Sequence, residues 1–150
     1  LHILNRCDHD YITKRISESG ISADSVLLEV ADHAGVAKAM QNMDAGIFII
    51  KPAYSKIASA PTKLGEFLGC GVPCLGNANV GDIADIIVGE KVGVVLSSFD
   101  ADSIRVAVEE LVCLTKQEGI KAHCRDVALR YFSLKEGVRS FDRIYRELVV

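Results

Sequence analysis

SAPTKLGEFLGCGVPCLG, from Ser59 to Gly76, is the stretch on which the fold turns. Pro61 suits a first helical position, because its φ is preset and the N–H it lacks would have no intrahelical acceptor. Leu64, Phe67 and Leu68 follow at i, i+3 and i+4, one apolar stripe for a core. Gly69 and Gly71 end the helix, and Val72-Pro73-Cys74-Leu75 reads as a short buried strand. The start of this helix carries Thr62 and Lys63 beside backbone N–H groups that lack intrahelical partners. Such an end attracts anions, phosphate above all. One turn in, Glu66 is an acceptor-only carboxylate, and a phosphate site beside a hydroxyl-binding carboxylate suits a nucleotide. A solvent-facing Lys63–Glu66 pair at i, i+3, on a helix that merely packs, explains the same residues.

Working outward, the preceding run Ala45–Ile50 (AGIFII) is the most continuously apolar strand, and Lys51–Ala60 is the loop that leads to the helix. Upstream, strands are predicted at 1–4 and 26–30. Helices fall between them, one at about His9–Ser19 with Gly20 as its stop, one capped by Asp32 and carrying Val36, Met40 and Met43. Helical spacing makes the two Met residues core rather than ligands. Downstream come the polar loop Asn77–Gly81, a short helix over Asp82–Val88 and a fifth strand over Val92–Leu96. The remainder is helical. Asp100 caps a helix with Ile104, Ala107, Val108, Leu111 and Val112 on one face. A second runs about Ile120–Phe132, and Ser133 with Glu136 forms a capping box for a third that bears Val138, Phe141, Tyr145 and Leu148.

Near-unbroken Val, Ile and Leu in the strands, without polar alternation, is how strands read when helices cover both faces. Helices separate every pair of strands, as parallel crossovers require. The expected fold is α/β: a Rossmann-like, doubly wound parallel sheet of about five strands, helices on both faces, and helices at the C-terminal end. Ligands of such sheets bind outside the carboxyl ends of the strands, here the loops 30–34, 51–63 and 76–82. No GxGxxG follows any strand, so the ordinary dinucleotide fingerprint is absent.

Composition narrows the function. The 150 residues are one domain's worth, 49% apolar and 25% charged. A net charge of −3, with both signs mixed along the chain, argues against a nucleic-acid surface. Five Cys without a CxxC pair read as reduced, mostly buried thiols of a cytoplasmic protein. Cys70 and Cys74 with His123-Cys124 have only a weak zinc spacing, and no metal site is expected. No apolar run reaches the roughly 18 residues of a membrane span, and no signal peptide is recognisable. The chain opens directly on LHIL, which reads as a fragment of something longer, residues 1–150 forming one domain.

With IFIIKPAYS before it and VGVVLSSFD after, PTKLGEFLGCGVPCLG resembles the carboxy-terminal, donor-binding domain of group 1 glycosyltransferases. These are retaining enzymes of the two-domain GT-B fold. The similarity runs from about Val26 to Val150, and FSL followed by SFDRIYREL is similar to that domain's terminal helices. It implies that backbone N–H groups of Thr62, Lys63 and Leu64, following Pro61, hold the diphosphate of a nucleotide-sugar, with the Lys63 ammonium beside them. It implies that Glu66 binds the ribose hydroxyls and that Val30 and Ala31 line the base. The family's signature is Glu, seven residues, Glu, and its first position is Ala58 here, so one sugar contact is missing. The implied function is the donor half of a retaining hexosyltransferase that moves a sugar from a nucleotide-diphosphate donor to an acceptor. No cofactor or metal is implied, since helix dipole and Lys neutralise the diphosphate and the loops carry no DxD-type pair. The partner is an N-terminal acceptor domain of the same parent chain, which would supply the catalytic pocket; membrane contact enters only with a lipid acceptor. Two other readings stand beside it: a sugar-nucleotide epimerase-like domain, and a non-catalytic Rossmann-like partner module, which Ala58 favours. His33 and His123 are candidate general bases whose ordinary role is structural.

Overall fold

The computed structural model describes residues 1–148; the last two positions of the sequence similarity, Val149 and Val150, lie outside that range. The chain forms two units, Leu1–Ala39 and Met40 onward. In the first, β1 (His2–Leu4) is followed by α1 (His9–Glu18), β2 (Leu27–Glu29) and α2 (His33–Met40). The two strands pair parallel, Ile3 opposite Leu28, and the His2 ring lies 2.9 Å from the Glu29 carboxylate at the end of the ladder. Asp32 caps α2 as expected, its carboxylate accepting from the Gly35 N–H at 2.7 Å.

The second unit alternates strand and helix: β3 (Gly46–Ile47), α3 (Thr62–Gly69), β4 (Cys74–Asn77), α4 (Ile83–Gly89), β5 (Gly93–Leu96), then α5 (Ala101–Thr115), α6 (Ile120–Tyr131) and α7 (Leu134–Leu148). Its sheet is parallel, in the order β3-β4-β5. All five expected strands are present, and all pair in parallel. Their hydrogen bonds divide them into sheets of two and three strands.

Alternation along the strands sends neighbours to opposite faces. Leu75 packs with Leu96, Ala107 and Leu111, which puts α5 on one face. Gly76 and Gly46 lie on the other, where Ile83 of α4, Phe48 and the Phe67 ring of α3 come so close that a Cβ would meet them. That is the double winding. The apolar stripe read in α3 is the core of this unit, with Leu64 and Leu68 fully buried and Phe67 nearly so. Behind them, α3 packs on α6, where Cys124 and Val127 are also buried.

Several local expectations shift, among them the strand expected over Ala45–Ile50, which is β3 at Gly46–Ile47. Pro61 is the N-cap of α3, extended at ψ 117°, and the helix begins one residue later at Thr62. β4 starts at Cys74 rather than Val72, because Val72 closes the preceding turn and Pro73 has no N–H for the ladder. Glu136 pairs with Arg139 at 2.6 Å instead of reaching back to close the capping box. Of the five thiols, Cys74 and Cys124 are buried and Cys7 and Cys113 exposed, so burial of most of them does not hold. Burial pushes the Cys124 thiol up to about 11 and Cys74 higher still, which leaves both protonated and inert.

Helices α3 and α4 end alike. After α3, Gly71 at φ 79° donates to the Leu68 carbonyl and Val72 to that of Phe67. After α4, Lys91 at φ 55° donates to Val88 and Val92 to Ile87. Both are Schellman turns, and each drops its apolar closing residue directly before the next strand.

Candidate functional site

Because β3 and β4 are parallel, α3 runs back between them, and its N-terminus stands at the carboxyl edge of the sheet. That is the edge where sheets of this kind bind ligands. Among the described residues, the Thr62 and Lys63 N–H groups have no protein acceptor, whereas the Leu64 N–H is turned to the Pro61 carbonyl at 3.2 Å. Two of the three expected donors are therefore unengaged, and Leu64 contributes its side chain to the core. Thr62 is exposed, Pro61 half-buried. The Lys63 ammonium and the Glu66 carboxylate meet at 2.7 Å, side chains 52% and 34% exposed. A pair this open to water is weakly held, so both groups can exchange each other for a ligand.

The loop that delivers the chain to this helix is fastened at both ends. The β3–β4 ladder runs Gly46 N–H to Pro73 and Phe48 N–H to Leu75, and the next rung is made by a side chain. There the Ile50 N–H donates to the Asn77 amide oxygen at 2.8 Å, while the Asn77 NH2 donates to the Ile50 and Ala78 carbonyls at 2.9 and 3.0 Å. Among the described residues Asn77 is the one buried polar residue, and every side-chain hydrogen bond it makes goes to backbone. Between the loops that follow β3 and β4 lies an open cleft of about 610 Å³, lined by Pro52, Ala53, Ile57, Asn79 and Gly81. At its far side the Gly81 N–H donates to the Lys56 carbonyl at 3.1 Å. Ala58, at the position of the missing acid, is exposed on this loop.

Val30 and Ala31 belong to the first unit, just past β2. Val30 is exposed, and the Ala31 carbonyl accepts from the Arg6 guanidinium at 3.2 Å. Pro61, Thr62, Lys63, Leu64 and Glu66 come together in the second. His123 is not placed as a base: its Nε2 lies 2.7 Å from the Glu90 carbonyl oxygen, a link between α6 and the end of α4. Sequence reasoning missed Asn77 and Gly81. The only signal was the polar, glycine-containing loop Asn77–Gly81 itself.

A parallel α/β unit, doubly wound, with a helix N-terminus and a cleft at its carboxyl edge, is a Rossmann-like fold. The solved structures it matches give that class particular members. A sucrose-phosphate synthase from Thermosynechococcus elongatus superposes on 99% of this chain with a TM-score of 0.72 at 17% identity. A chain of the GtfA/B complex does so over 98% with a TM-score of 0.72 at 20% identity. WaaG, a glycosyltransferase involved in lipopolysaccharide biosynthesis, covers 89% with a TM-score of 0.62 at 18% identity. This chain spans 38%, 29% and 34% of those proteins respectively. At such identities the likeness is one of fold. No protein-family model and no curated protein matches the sequence.

Proposed function

We propose that this chain is the donor-binding half of a retaining glycosyltransferase of the group 1 type, acting on a nucleotide-diphosphate sugar. The observation that carries the reading is the start of α3. Two unengaged N–H groups, a lysine and a carboxylate one turn apart stand at the carboxyl edge of a parallel sheet. In this reading the Thr62 and Lys63 amides take the diphosphate, aided by the helix dipole and the Lys63 ammonium. Those groups stabilise the charge that develops on the nucleotide as the sugar leaves, so no metal or other cofactor is invoked. Glu66, released from Lys63 when phosphate arrives, accepts hydrogen bonds from the ribose diol. The acceptor and the reacting geometry belong to a second half of a longer, cytoplasmic parent chain, because transfer needs both substrates held against each other. Residues 1–150 would then act as one donor domain.

Titration with UDP, GDP and ADP tests this. One of the three is expected to bind, and Glu66→Ala to weaken it roughly ten- to a hundredfold, the worth of hydrogen bonds to a charged acceptor. Equal affinity in wild type and variant would reduce Glu66 to a surface acid. A folded chain that binds none of the three would favour the partner-module reading that Ala58 suggests.

A further inference from the structure

We propose that Gly81 and Asn77 form a clamp that sets the position of the phosphate-binding end of α3, a role that rests on the diphosphate reading above. A Cβ built on Gly81 would lie 1.8 Å from the Ser59 carbonyl oxygen and 2.9 Å from its carbon, so the backbones of the two loops touch there directly. Gly81 also has φ 48°, and its N–H holds the Lys56 carbonyl. That carbonyl accepts from the Ser59 N–H too, at 3.1 Å, which closes the end of the loop into a tight turn. Only Ala60 and Pro61 separate Ser59 from Thr62, and proline fixes its own φ. A push on the Ser59 carbonyl is therefore passed to the Thr62 and Lys63 amides with little chain to absorb it. At the loop's other end, the Asn77 amide grips both the N–H and the carbonyl of Ile50. The two contacts bracket residues 50–59, and what lies between is free to line the cleft.

The clamp makes two substitutions at Gly81 behave alike that would otherwise differ. Asparagine tolerates the left-handed region far better than alanine. If Gly81 served only to make a turn, Gly81→Asn would stay close to wild type. If it serves to let the Ser59 carbonyl in, Gly81→Asn fails as Gly81→Ala does, since both carry the Cβ. Gly89→Ala is the matched control, a methyl added where nothing lies within 4 Å. Affinity for inorganic pyrophosphate and for the nucleotide that wild type binds is measured by calorimetry, and the melting midpoint is followed in parallel. Both Gly81 variants are expected to lose on the order of tenfold in affinity or more while folded, and Gly89→Ala none. A second measurement needs no variant. Coupling is reciprocal, so pyrophosphate bound at α3 must steady the clamp. Amide exchange of Gly81 and Ile50 should slow on saturation, although Ile50 donates to the buried Asn77. Gly81→Asn binding as wild type does, or Ile50 exchange unchanged while pyrophosphate is bound, overturns the clamp and leaves the diphosphate reading standing. Absence of any binding by wild type removes both.

Discussion

Lys91 is a lysine in the backbone conformation that glycine prefers. It closes the turn after α4 at φ 55°, where Gly71 closes the equivalent turn after α3. A non-glycine residue there carries a steric cost of about 1 kcal/mol. Lys91→Gly is accordingly expected to stabilise the fold by up to about that amount, read from urea unfolding; no gain would mean that the lysine side chain offsets its own backbone strain. Residue-scale features of this kind divide by range. The α3 start proposed to hold the diphosphate was legible because Pro61, Thr62, Lys63 and Glu66 are neighbours in sequence. Asn77 was not, because its partner Ile50 lies 27 positions away and nothing local marks an asparagine that completes a ladder. Gly81 was legible as a turn, but its contact with Ser59 exists only once two loops have been brought together.

At the scale of elements, α4 and α6 are joined by Glu90. Its carboxylate accepts from Nη2 and Nη1 of Arg130, at 2.6 and 3.1 Å, and from the Tyr131 hydroxyl at 2.7 Å. The Arg130 hydrogen bonds first, and the Tyr131 hydroxyl second, hold the carboxyl below its ordinary value. A depressed folded-state pKa means that the stabilisation is fully present above the usual carboxylate range. It is lost as pH falls through the folded value. Wild type should thus be more stable than Glu90→Gln near neutrality, with the gap closing in acid; a gap that stays constant from neutrality to pH 3 would contradict the latch. Arg130 is open enough to water, its side chain 54% exposed, that salt should also narrow the gap. Packing carries more. Leu68, wholly buried in α3, should cost about 2–5 kcal/mol as Leu68→Ala by chemical denaturation, and a loss under 1 kcal/mol would place it outside the core. The helices themselves were plain from apolar spacing. Strand β4 moved by two residues because Val72 and Pro73, apolar enough to be read as strand, are spent on the turn and on a position without a donor. Strand β3 is short because Asn77 replaces the backbone at its last rung.

For the whole molecule, parallel pairing and double winding followed from unbroken Val, Ile and Leu runs separated by helices, and they are the features shared with the solved glycosyltransferase structures. The division of the strands between two sheets left no such trace, since hydrophobic runs specify burial but not which neighbour a strand bonds to. At this scale the proposed donor half is a binder that does not act alone. It should bind a nucleoside diphosphate yet transfer no sugar, and sustained transfer by these 150 residues from a UDP-, GDP- or ADP-sugar would refute the split site. The most direct test of the central claim is to follow the backbone amide resonances while UDP, GDP and ADP are added in turn. One nucleotide should shift the Thr62 and Lys63 amides first and farthest, Glu66 with them and Leu64 less, because its N–H is already held by Pro61. Shifts centred elsewhere, with Thr62 and Lys63 unmoved at saturation, would contradict it.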